Sequence, residues 1–275
     1  MSKITKALER SAVERASRKT GDPVVPKERT GEVDIAQQSQ ELDKTKEERK
    51  VIISRIDPHV VSYYQPRSPI SEQYRILRTN IQSISPKAPP RTILFTSSTQ
   101  REGKTMTAVN LAVSMSHNPA KRILLVDADL RRGSVARYIG VQIKSGLSQY
   151  LSNGTGLEEI VLKTEIENLD VIPAGRTPRN PSELLDSEKC RELMRTLKSR
   201  YDYVIVDSPP AMPLADAAVL SSQVDGVVLV IQSGRTQRNV VRETQALLSQ
   251  IQARILGFVL THAEYYIPRY GYYKY

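Results

Sequence analysis

TILFTSSTQREGKTM, residues 92–106, decides the fold. Its first six residues form a short apolar run that stops at small polar residues, the pattern of a buried strand rather than a helix. A polar loop follows, ending in Gly103-Lys104-Thr105, and a helix begins around Met106. Gly-Lys-Thr matches the last part of the phosphate-binding pattern G-x-x-x-x-G-K-[ST], with Ser98 where its first glycine usually falls. Strand, loop and helix in that order aim backbone N–H groups and a positive helix end at phosphates. The phosphate-contacting residues are therefore Ser98, Thr99, Gln100, Arg101, Glu102, Gly103, Lys104, Thr105 and Met106. Lys104 is predicted to reach the β- and γ-phosphates of ATP, and the Thr105 hydroxyl to bind Mg2+.

Outward from this stretch, apolar strands at 92–97, 122–127, 168–172, 203–207, 226–232 and 255–260 alternate with helical segments near 104–117, 183–199, 214–222 and 237–252. Near-continuous apolar strands separated by helices predict an α/β fold, a mostly parallel, P-loop NTPase-like sheet with helices on both faces. Two strands end in acids, ILLVDADLR at 123–131 and VIVDSPP at 204–210. The carboxyl ends of parallel strands line the ligand crevice, so Asp127, Asp129 and Asp207 are expected to gather around Lys104 and Thr105.

The rest of the chain sets the limits. No apolar run nears the 18 or more residues of a membrane span, and the longest is Val227 to Ile231. The N-terminus has no signal-peptide core, and the single cysteine, Cys190, fits a reducing cytoplasm. Cys190 itself reads as a half-buried helix residue. The formal charge is +10, but the first fifty residues hold 12 basic and 10 acidic residues, a difference of only +2. There is no concentrated basic arm and no nucleic-acid-binding signature, and no nucleic-acid partner is expected. Residues 1–19 read as a short helix, 20–66 as a flexible linker, 67–261 as the catalytic domain and 262–275 as a tail. At the start of the domain Ile70, Tyr74, Leu77, Ile81 and Ile84 form a helical stripe facing a core, between Pro69 and Pro86.

Together ILLVDADLR and VIVDSPP resemble the Walker A′ and Walker B motifs of the bacterial tyrosine kinases of polysaccharide export, a likeness extending over residues 70–275. Glu72-x-x-Arg75-x-x-Arg78 is similar to that family's oligomerisation motif, and NPSELL at 180–185 is also similar to its members. Within the family the soluble exosortase-associated autokinases match best, since they lack a fused membrane domain and start with a short helix. The resemblance implies that Asp127 is the base for the tyrosine hydroxyl. It gives Asp129 and Asp207, with Thr105, to magnesium, and Lys104 to the phosphates. It also implies a homo-oligomer, a separate membrane chain-length determinant protein that recruits the chain to the inner face of the plasma membrane, and a phosphotyrosine phosphatase. Three positions depart from the family pattern. Arg101 stands where a loop glycine is common, Gly133 replaces a frequent proline, and Thr261 replaces an asparagine near the base.

Six of the thirteen tyrosines fall in the last eleven residues: Tyr265, Tyr266, Tyr270, Tyr272, Tyr273 and Tyr275. The cluster reads either as an aromatic segment packed on the domain or a partner, or as a tail. Pro268 and Gly271 break helix and strand there, and with the kinase resemblance it reads as a tail of phosphoacceptors, modified between subunits. Two alternatives stand beside the autokinase. One is a deviant-Walker ATPase of the partitioning type, which would carry a lysine where this chain has Thr99. The other is a nucleotide-binding interaction protein that transfers nothing.

Overall fold

The computed structural model describes residues 55–85 and 87–263. The expected first helix and the tyrosine tail lie outside them. Seven strands form one sheet: β1 (Thr92–Ser97), β2 (Ile123–Asp127), β3 (Leu162–Lys163), β4 (Leu169–Ile172), β5 (Tyr203–Asp207), β6 (Gly226–Gln232) and β7 (Ile255–Thr261). Their order is β3-β4-β2-β5-β1-β6-β7, parallel throughout except for the β3–β4 pair. The sheet is mostly parallel and sandwiched by helices, as the strand pattern requires.

Alternation along the strands feeds two cores. Ile93, Phe95, Ile123, Leu125, Ile205 and Val228 pack on one face. Leu94, Leu124, Val126, Val204, Val206 and Val227 pack on the other. Helices cover both faces: α1 (Val61–Tyr64), α2 (Pro69–Ser83), α3 (Lys104–Ser116), α4 (Val135–Ile139), α5 (Leu147–Asn153), α6 (Leu157–Ile160), α7 (Pro181–Leu185), α8 (Glu188–Arg200), α9 (Asp216–Ser221) and α10 (Arg238–Gln250). In β1, β2, β4 and β5, buried on both sides, strand residues of either parity must be apolar, which is why those runs are continuous. The edge strand β7 is only partly covered, with Phe258 and Leu260 exposed.

The structure corrects several expectations. The linker expected over 20–66 stops short, because Ile56 and Val60 are buried in the first core and the Tyr64 hydroxyl donates to the Ile56 carbonyl at 2.6 Å. The helix expected at 183–199 is two helices. Ser187 interrupts it, its hydroxyl accepting the Cys190 N–H at 3.2 Å and capping α8. Cys190 is 1% exposed rather than half-buried, and burial pushes its thiol up to about 12. The short elements α1, α4, α5, α6 and β3 went unpredicted, since pieces of two to seven residues hold too few turns or alternations to register a period.

The stripe on α2 is also less buried than its spacing suggests. Ile81 is buried, whereas Ile70 and Ile84 are exposed. The helix nevertheless starts as the prolines and serines imply, with Ser68 accepting the Ser71 N–H and Pro69 at its first position.

Candidate active site

Register alone brings the site together. Asp127 pairs with Asp207 across β2 and β5, and Phe95 pairs with Asp207 across β1 and β5. The loop after β1 therefore opens directly beside both acidic strand ends, at the carboxyl edge where parallel sheets bind ligands.

In the loop, Gly103 takes φ +89° and Arg101 takes φ +64°. The Arg101 backbone adopts the left-handed conformation that glycine enters without steric cost, in keeping with the glycine expected there from the family pattern. The loop is braced from behind. Glu102 is fully buried, its carboxylate accepting the Thr99 N–H at 2.6 Å and the Thr236 hydroxyl. The Thr261 hydroxyl donates to the Glu102 carbonyl at 2.7 Å. Thr261 thus serves as a strut for the loop.

The Lys104 side chain is largely enclosed, 13% exposed. Its ammonium lies 3.4 Å from Asp129 Oδ2 and 3.8 Å from Asp207 Oδ1. Burial would pull this lysine's pKa down, but Asp207 and Asp129 hold it above the ordinary lysine value. The Thr105 hydroxyl donates to Asp207 Oδ2 at 2.7 Å. Asp207 Oδ1 is buried without a hydrogen-bond partner.

Asp127 sits one layer deeper, 1% exposed, accepting the Asp129 N–H at 3.2 Å and the Val135 N–H at 2.9 Å. Burial, with the Asp207 charge behind it, raises the Asp127 pKa well above the carboxylate range. Burial likewise raises Asp207, against the pull of Lys104 and Thr105. Gly133 is fixed by this crowding: a Cβ there would meet Ala174 Cβ at 2.4 Å and Asp127 Oδ2 at 2.9 Å.

Three carboxylates face one ammonium, and one carboxylate oxygen, Asp207 Oδ1, makes no hydrogen bond. This donor set fits a divalent cation, and its hard oxygen chemistry suits Mg2+. Among the described residues no three His, Cys, Asp or Glu side chains form a complete protein cage. Mg2+ keeps waters and substrate phosphates among its ligands and requires no such cage.

In front of the loop lies a crevice of about 240 Å³ between Arg101, Lys104, Asp129 and Arg132 on one side and Pro209, Pro210 and Leu214 on the other. Sequence reasoning missed the cluster at its back. Arg131 Nε donates to Asp216 Oδ2 at 2.7 Å, Arg131 Nη2 donates to Ser182 Oγ at 3.0 Å, and the Ser182 hydroxyl donates to Asp216. The cluster ties the loop after β2 to α7 and α9. Asp216 is fully buried, and no local pattern distinguishes it from an ordinary acid in a first helical turn.

The three residues expected to mediate self-association do not share one free face. Glu72 and Arg75 form an exposed i,i+3 pair at 2.6 Å, while the Arg78 guanidinium donates to the Ser114 carbonyl on α3.

Comparison with known proteins places this geometry. The AAA domain family matches residues 91–256. The tyrosine-protein kinase YwqD of Bacillus subtilis (strain 168) is 36% identical over 226 residues, which is 80% of this chain and 93% of that protein. The crystal structure of the chimeric protein CapA2B2 superposes with TM-score 0.70 at 34% identity, covering 75% of this chain and 90% of that one. The septum site-determining protein MinD of Pyrococcus horikoshii OT3, complexed with Mg-ADP, aligns less well. Its TM-score is 0.54 at 25% identity, over 62% of this chain and 69% of that one.

Proposed function

Because the chain belongs to the bacterial P-loop tyrosine kinases, we propose that it uses MgATP to phosphorylate its own C-terminal tyrosines, acting between copies of itself. One observation carries the reading: Thr261, the last residue of β7, is hydrogen-bonded to the phosphate loop through the Glu102 carbonyl. The tyrosine cluster starts four residues later, at Tyr265. The fourteen residues beyond Thr261 span about 46–50 Å when extended, at about 3.3–3.6 Å each, which includes a neighbouring copy's crevice.

The residues divide the work as follows. Residues 98–106 cradle the phosphates with backbone N–H groups, and Lys104 adds an ammonium. Asp129, Asp207 and the Thr105 hydroxyl would hold Mg2+, which would supply positive charge to neutralise the charge developing on the transferring phosphate. Asp127 takes the acceptor's proton; its burial raises its proton affinity, which the task requires. Asp129 lines the crevice and Asp127 supports it from below through the Asp129 N–H. Protein groups supply position and charge, since phosphoryl transfer leaves little covalent chemistry to the enzyme.

The same reading gives the chain a role in exopolysaccharide export. It works there with a separate membrane chain-length determinant protein and a phosphatase that resets the tail. The partitioning-ATPase alternative is less well supported, since Thr99 holds no lysine at the signature position. The test is incubation of the purified chain with MgATP followed by phosphotyrosine detection, beside Lys104→Ala and a chain ending at Thr261. Phosphotyrosine on the full chain, absent from both variants, is the expected outcome. Undiminished labelling of the truncated chain would remove the tail as acceptor, and no labelling of the full chain would remove autokinase activity.

A further inference from the structure

We propose that Arg132 is a catalytic residue, a cation set over the mouth of the phosphate loop by Gln100 to stabilise the transferring phosphoryl group. The inference rests on the kinase reading above. Four cations line or approach the crevice, and three are accounted for differently. Lys104 faces Asp129 and Asp207. Arg131 is bound on two sides by the buried Asp216. Arg101 is exposed, and among the described residues nothing holds its guanidinium in place; only its backbone carbonyl is engaged, accepting from Arg235 at 3.3 Å.

Arg132 differs from all three. Its guanidinium Nη1 donates to Gln100 Oε1, in the phosphate loop, at 2.8 Å. Its own backbone N–H donates to Asp129 Oδ1 at 2.9 Å. The exposed side chain is thus tethered to the phosphate loop by one hydrogen bond while its backbone is held to Asp129, and it lines the crevice. Among the described residues it pairs with no carboxylate. Of its five N–H donors, one is used by Gln100, and the remainder are available to an anion. A cation that is held in place yet uncompensated suits charge that appears only during reaction.

In the step itself, the acceptor tyrosine oxygen bonds to the γ-phosphorus. The bond from that phosphorus to the β–γ bridging oxygen breaks, its electron pair leaving with ADP. The phenol proton passes to Asp127. Arg132 forms and breaks no bond, and acts on the equatorial oxygens over which the charge spreads. An arginine in such a position contributes about 10³–10⁵ in kcat where a partner protein supplies it.

The experiment compares binding of MgADP with binding of MgADP plus aluminium fluoride, which mimics the planar transferring group, by calorimetry on the full chain. The wild type is expected to prefer the mimic. Arg132→Ala should keep MgADP affinity within about threefold while losing roughly 10²–10³ of the mimic's advantage, the usual cost of one transition-state donor. Gln100→Ala, a positioning change, should lose less, and free guanidinium ion should restore part of the Arg132→Ala turnover. The proposal is overturned if Arg132→Ala retains the mimic's advantage, if MgADP and mimic affinities fall together, or if the wild type shows no preference. A wild type that binds the mimic but labels no tyrosine would sink the kinase reading instead.

Discussion

Asp127 and Asp207 face each other across β2 and β5, yet their surroundings differ in kind. Asp127 accepts only backbone N–H groups, whereas Asp207 accepts the Thr105 hydroxyl and keeps one oxygen free of hydrogen bonds beside the Lys104 ammonium. Asp127→Asn is therefore expected to retain MgADP affinity within a few-fold while phosphotyrosine formation falls by about 10²-fold or more, as for loss of a positioned base. Asp207→Asn should weaken MgADP binding directly, and the difference should vanish when binding is measured with ADP and chelator. Equal loss of MgADP affinity in both variants would reject the division. At this scale the sequence identified the acids through their strand-end positions. It could not tell that Lys104 is enclosed, because enclosure comes from the approach of two other strands.

Elements join through a few polar contacts that no periodicity reveals. Asp225, just before β6, accepts the Arg91 N–H at 2.9 Å and the Thr92 N–H at 3.0 Å, and pairs with Lys198 of α8. Burial works to raise its pKa, but Lys198 and the two backbone donors hold it below the usual carboxylate value. A depressed carboxylate contributes stability above its unfolded pKa of about 3.9 and loses it as pH falls through the folded value. Asp225→Asn should thus cost about 1–2 kcal/mol at pH 7, somewhat less than the about 1.5–3 kcal/mol usual for hydrogen bonds to a charged group, because the carboxylate and Lys198 are partly exposed. Urea unfolding should show the gap to wild type closing below about pH 4. A gap independent of pH would mean that the carboxylate charge does not matter.

On α2 the inward turn of Arg78 changes which substitutions can test self-association. Replacing all three motif residues would also break the α2–α3 contact through Ser114. The double change Glu72→Ala/Arg75→Ala removes only an exposed pair, worth about 0.2–0.5 kcal/mol to the helix. It is expected to weaken sedimentation of oligomers and slow tail phosphorylation in parallel, with an unchanged melting temperature. Unchanged sedimentation and rate would place the reaction within one chain.

For the whole molecule, the formal charge of +10 sets what the proposed phosphorylation of the tail tyrosines would do. Each phosphotyrosine carries about −1.5 to −2 charges near pH 7, so six add roughly −9 to −12, enough to cancel the whole excess. On the proposed function, modified tails brought to neighbouring crevices would repel one another within a Debye length of about 8 Å at physiological salt. Light scattering should find the unmodified form assembled and the fully modified form dissociated, most clearly at low salt. A modified form at least as oligomeric at both salt concentrations would rule out electrostatic release.

The sequence by itself determined the sheet, the phosphate loop and the acidic strand ends. Each is written locally, as a buried strand must be apolar on both faces and a phosphate cradle needs its glycine, lysine and hydroxyl in immediate succession. Tertiary structure alone decided the Arg131–Asp216–Ser182 cluster, the strut from Thr261 to Glu102 and the seat of Arg132 on Gln100. Their partners lie 32 to 159 residues apart. A contact across such a span leaves no period and no short motif, because it exists only once parallel strands have brought their carboxyl ends to one edge.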